Sequence, residues 1–126
     1  MRTSIYTSLL LLLFTLAGCS GSDVYRGDWK AMDRSGNKSD ISFDAKNFTM
    51  KSTEGTTENY GYSQIGIEIQ NSIRRYKIKL QDGRVFAVSF PLPNNTSKGI
   101  ISLETGEALY TIGRDEYVEF SELLTF

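Results

Sequence analysis

Few residues of this chain could make or break covalent bonds. Histidine is absent, and cysteine occurs once, as Cys19. The usual zinc sites, nucleophile triads and thiol–imidazole pairs draw on those residue types, so they are excluded. A lone cysteine also rules out a disulfide within the chain. Carboxylates are the acid–base groups that remain. Asp115, Glu116, Glu119 and Glu122 cluster near the C-terminus, and glycoside hydrolysis needs two carboxylates held at a fixed separation across a cleft. Their spacing suits the outer face of a final strand better. Asp33, Asp40 and Asp44 fall near turns without the dense Asp/Asn/Gly loop that calcium requires. Turn stabilisation is the simpler role for such short side chains. No cofactor and no metal are expected, and the chain reads as a non-enzyme.

Cys19 suits a different chemistry, lipid attachment. The chain opens with one positive charge at Arg2 and continues "IYTSLLLLLFTLA", in which Leu9–Phe14 is unbroken apolar. A spanning helix needs roughly 20 apolar residues. A charged start, a shorter apolar middle and a small-residue exit match a secretory signal instead. At that exit, Leu16-Ala17-Gly18-Cys19 resembles the lipobox of bacterial lipoproteins. The resemblance implies cleavage before Cys19, a diacylglycerol on its thiol and a third acyl chain on its freed amine. Residues 1–18 are then a signal peptide, 19–24 an acylated tether and 25–126 a single β domain. At about 0.8 kcal/mol per buried methylene, several acyl chains hold a small domain on a bilayer. Ser20, standing where aspartate would retain the protein at the inner membrane, resembles an outer-membrane address. The expected location is the bacterial envelope, lipid-anchored and facing the periplasm. A small buried cysteine behind an apolar anchor is the alternative.

Without residues 1–18 the chain keeps 13 basic and 15 acidic side chains over 108 residues. That balance offers no electrostatic footprint for nucleic acid. From Tyr25 onward, turn chemistry recurs every 8–12 residues: "DRSGNK", "STEGTTE", "LQDGRVF", "LETGEAL" and others. Between the turns lie short stretches rich in Tyr, Phe, Ile, Val and Thr, near 28–33, 39–44, 47–52, 57–63, 65–70, 73–81, 84–91, 99–103, 107–112 and 115–121. No window sustains helical apolar spacing. The expectation is an all-β fold, a small antiparallel meander barrel or flattened barrel of about eight or nine strands.

The stretch "RRYKIKLQDGRVFAVSF" fixes a register. A two-residue loop at Asp82-Gly83 would pair Lys79 with Phe86 and Lys77 with Val88, mixing charge and core on one face. A three-residue loop, Gln81-Asp82-Gly83 with glycine in a left-handed bulge, pairs Ile78 with Phe86 and Tyr76 with Val88. Because side chains alternate with period two, burial of one face selects the second register. Arg75, Lys77 and Lys79 then form an outward stripe, either a solvated face or a surface for an acidic partner.

In "YRGDWKAMDRSG", Gly27-Asp28-Trp29 resembles the Gly-x-Trp that opens the first strand of lipocalins and of small lipocalin-like lipoproteins. Ile41, Phe43 and Phe48 in "DISFDAKNFTM" extend the likeness over residues 25–70. It implies that Trp29 plugs one barrel end beneath an arginine from the last strand, for which Arg114 is the candidate. Lipocalin strands are longer, so here side chains should fill much of the interior. The apolar tail, with Phe120, Leu123, Leu124 and Phe126, either folds back on the barrel or docks on a partner. Two functions stay open. One is a protein-interaction or accessory module: part of an envelope assembly, or an inhibitor or immunity protein. The other is a lipocalin-like binder of a small apolar ligand or lipid near Trp29. An apolar cavity would favour the binder, and a filled barrel with an exposed apolar patch the module.

Overall fold

The structure is a computed structural model that describes residues 23–124. Cys19, the signal peptide, most of the tether and Phe126 lie outside the described residues. Eight strands form one closed antiparallel barrel in which each strand pairs with its chain neighbour. They are β1 (Gly27–Asp33), β2 (Lys38–Phe43), β3 (Asn47–Ser52), β4 (Thr57–Gln70), β5 (Ile73–Leu80), β6 (Val85–Ser89), β7 (Lys98–Leu103) and β8 (Ala108–Gly113). β1 and β8 close the ring. The single short helix among the described residues, α1, spans Phe120–Leu124.

The β5–β6 hairpin has the bulged register: Tyr76 faces Val88, Ile78 faces Phe86, and Lys77 faces Ala87. Gly83 sits at φ 96°, donates its amide to Leu80 O, and leaves Leu80 N to bond Arg84 O. A β-carbon at that φ would be strained, which is why the loop needs glycine at its third position. The same pair of bonds recurs from Asp33, Ser52 and Leu103, so four hairpins at one end share one geometry. That end is the regular one. The opposite end holds the chain entry at residues 23–26, the tight turn at Asp44, a two-residue turn at Asn71-Ser72, and the long loop 90–97.

Three of the expected stretches differ in the structure. Residues 57–63 and 65–70 are one strand, β4, of 14 residues. Its first part, to Gly61, pairs with β3 and the rest, from Tyr62, with β5; a bulge between Gln64 and Gly66 then shifts the β4–β5 register. Residues 115–121 are not a strand. The chain leaves β8 and crosses the outside of the barrel as a loop leading into α1. The cause lies in β7, where Ile100 and Ile101 are consecutive. Ile101 points into the core while Ile100 is buried on the outside, so the outer face of β7 and β8 must be covered.

Alternating side chains from all eight strands fill the barrel. Tyr25, Trp29, Ile41, Phe43, Phe48, Tyr76, Ile78, Leu80, Phe86, Val88, Ile101 and Ile112 make one buried cluster. Aromatic rings dominate it, with Phe43 5.0 Å from Phe48 and 5.3 Å from Tyr25 in edge and tilted contacts. Such rings supply large apolar area and fixed geometry, which is how a domain without disulfides holds its shape.

Candidate functional site

Trp29 and Arg114 meet at the irregular end. Trp29 is 2% exposed, and the Arg114 guanidinium lies 3.6 Å from its ring centroid. Arg114 also donates to Asp28 O and Val24 O, both at 3.2 Å. The indole N–H donates to Tyr25 O at 2.8 Å. Chain entry, first strand and the end of the last strand are thus fastened together. Burial disfavours the charged guanidinium and draws its pKa below the usual arginine value, against the pull of Asp28. Burial, reinforced by Tyr62, pushes the Tyr25 phenol well above the ordinary tyrosine range. Both groups keep one protonation state near neutrality and act as fixed donors, Tyr25 to Gln64 Oε1 at 2.8 Å.

The tail residues divide. Leu123 is fully buried with Ile100, Ala108 and Val118, and Phe120 packs against them. The Arg34 guanidinium sits 5.1 Å over the Phe120 ring. Thr111 Oγ1 donates to Val118 O at 2.5 Å, and Lys98 bridges Glu116 and Glu122 at 3.2 and 2.5 Å. Those two carboxylates raise the Lys98 pKa. Leu124 is 42% exposed. Asp115, Glu116, Glu119 and Glu122 therefore lie along a covering loop and α1. Among the described residues no group of three or more His, Cys, Asp or Glu side chains is placed to hold a metal ion.

Two residues of the basic stripe, Arg75 and Lys77, form an internal network, and Lys79 is exposed. Arg75 pairs with Glu68 at 3.0 Å and donates to Leu103 O at 3.2 Å. Lys77 reaches Glu68 at 3.4 Å and Glu104 at 3.1 Å. These cations tie β4 and β5 to the β7–β8 turn.

Sequence reasoning missed the most exposed apolar feature. Ile65, Ile67 and Ile69 on β4 are 50%, 51% and 70% exposed. Their alternation in "SQIGIEIQNS" was legible, but a half-buried strand gives the same pattern. Only the change of partner along β4 shows that no core lies opposite. Beside this hairpin an open cleft of about 550 Å³ runs along the rim, with Tyr76 and Phe90 among its apolar walls and Arg74, Asn71 and Asn94 among its polar ones. A second open cleft, about 480 Å³, borders Trp29 and Arg114 and is lined by Lys30, Asp40, Thr49 and Lys51.

Comparison with protein-family models, with curated proteins and with solved structures finds no match to the chain.

Proposed function

We propose that this chain is a bacterial envelope lipoprotein, held through acyl chains on Cys19 to the periplasmic side of the outer membrane, whose barrel is a non-enzymatic protein-interaction or accessory module. The observation carrying the contact role is the pairing of an aromatic-filled interior with exposed isoleucines at 65, 67 and 69. Soluble domains seldom leave large aliphatic side chains grouped in water without a use for them. The membrane role rests on the lipobox and on the side from which the chain enters. Tyr25, at the entry of the described chain, bonds Gln64 beside the isoleucines, so the chain entry and the apolar strand share one end of the barrel.

The test is fractionation of cells expressing the full chain, with in-envelope crosslinking and mass spectrometry. The wild type should sediment with membranes and carry an acylated N-terminal cysteine, and C19S should be released. A soluble wild type with an intact leader defeats the tether. Crosslinks to envelope proteins that persist in I67K show that the isoleucines do not make the contact, and a wild type that yields no crosslink defeats the contact role. A second reading, binding of a small apolar ligand near Trp29, draws on the open cleft of about 480 Å³ that borders Trp29 and Arg114, a volume within the range of ligand sites. Quenching of Trp29 fluorescence by a fatty-acid series, with saturation at one site, would support that reading.

A further inference from the structure

β4 is an edge where the barrel turns. β3 pairs with it only as far as Asn47 opposite Gly61, and Tyr62 N bonds Lys46 O just beyond. Among the described residues no strand lies on that side of residues 65–70. The β4–β5 ladder ends at a two-residue turn, Asn71-Ser72, with both φ values positive and with Gln70 opposite Ile73. In such a hairpin the closing pair is hydrogen-bonded and alternate pairs are not. Counting back, Gln70, Glu68 and Gly66 exchange bonds with β5, and Ile69 and Ile67 turn their peptide groups outward. An apolar, uncovered edge of this kind is a template for another strand.

We propose that this edge pairs with the same edge of a second copy of the chain, antiparallel and centred on Ile67. The spacing is symmetric about that residue. A two-fold axis through Ile67 sets it against itself, Ile65 against Ile69, and Glu68 against Gly66. Every isoleucine meets an isoleucine, as an isologous interface demands, and no like charges are opposed. Glu68 is already neutralised by Arg75 and Lys77 within its own chain. A bilayer suits the edge less well, because outward peptide groups would be left unpaired in hydrocarbon and because these two cations are engaged with carboxylates. An edge this short buries less than the roughly 1,600 Å² of a standard interface. The pair is therefore concentration-dependent and best captured covalently.

The experiment uses full-length chains in cell envelopes, with single cysteines added to the native Cys19 and a mild oxidant. Facing residues of a hydrogen-bonded antiparallel pair have Cα atoms about 5.5 Å apart, within disulfide range. Residues displaced by four positions are about 13 Å apart. I67C should form a covalent dimer whose peptides map to residue 67 of both copies. I65C and I69C should each stay monomeric alone and form a dimer when co-expressed. I67K, folded by circular dichroism, should abolish the dimer trapped by a lysine-independent crosslinker in otherwise native chains. Absence of the I67C dimer, equal yields for all three positions, or coupling of residue 67 to Cys19 or to another protein overturns the proposal. Fractionation of the same samples reads the tether separately, so a soluble chain that still dimerises refutes only the lipoprotein assignment.

Discussion

Removing the Arg114 side chain tests how the irregular end is held. Its guanidinium stacks 3.6 Å from the Trp29 centroid and bonds two main-chain carbonyls. A cation over an indole contributes between about 0.5 kcal/mol in water and about 2 kcal/mol when desolvated, so roughly 1 kcal/mol suits a partly buried arginine. Each bond to a carbonyl adds a net of about 1 kcal/mol. R114A should therefore cost about 2–3 kcal/mol. For a domain of about 100 residues this lowers Tm by about 10–20 °C. R114K keeps the charge without the planar fork and should lose about half as much. Trp29 is the only tryptophan, so intrinsic emission reports this contact without background, and R114A should shift it to the red. In a W29F background the loss from R114A should shrink by about 1 kcal/mol, the coupling of the pair. A Tm within about 2 °C of wild type, with emission unmoved, refutes the reasoning.

Other perturbations separate the remaining inferences. I78D places an unpartnered charge among aromatic rings and should cost more than about 4 kcal/mol, abolishing the folded signal in circular dichroism, whereas K77D should stay folded; equal damage would contradict the register. L123A removes a fully buried side chain and should cost about 2–3 kcal/mol in urea unfolding, while L124A should change little, and a harmless L123A would mean the tail is not part of the core. Acid should act through the turn carboxylates. Asp44 is held below its ordinary pKa by the amides of Lys46 and Asn47, and Asp82 by the amide and side chain of Arg84. At Asp33, partial burial pushes upward but is outweighed by bonds from Asn37, Ser35 and Gly36. Depressed carboxylates stabilise the fold above their unfolded pKa of about 4 and lose that contribution as pH falls through the folded value. With no histidine in the chain, Tm should stay flat from about pH 7 to 5 and decline below about 4; a fall centred near pH 6 would be inconsistent with this account.

The barrel was legible because its turns are chemical. Gln81-Asp82-Gly83 could be set in register from the positions of Ile78 and Lys77 alone, and the same x-x-Gly spacing recurs in "RSG", "TEG" and "ETG". Trp29 beneath an arginine was expected only through the resemblance carried by Gly27-Asp28-Trp29, and the guanidinium of Arg114, just after β8, lies over its ring. The exposed isoleucines could not be anticipated. Period-two apolar spacing identifies a strand face but not what lies across from it, and nothing in the sequence marks that β3 stops pairing with β4 at Gly61 while β4 runs on to Gln70 beside β5. The tail misled for a related reason. Tyr117, Val118 and Phe120 resemble strand residues, and only the paired isoleucines Ile100-Ile101 hint that the outside of β7 needs a cover.

The ring closes along a single seam, four residue pairs from Lys30–Gly113 to Asp33–Tyr110. Every other ladder joins chain neighbours and can zip locally, but this one must draw together segments some eighty residues apart, at a loop-closure cost that the rest avoid. Until it shuts, the first and last strands are raw edges, open to sticking. Arg114 spans that seam like a latch, reaching from just after β8 to the carbonyls of Asp28 in β1 and of Val24 ahead of it. Loosening it should hasten the opening of that seam.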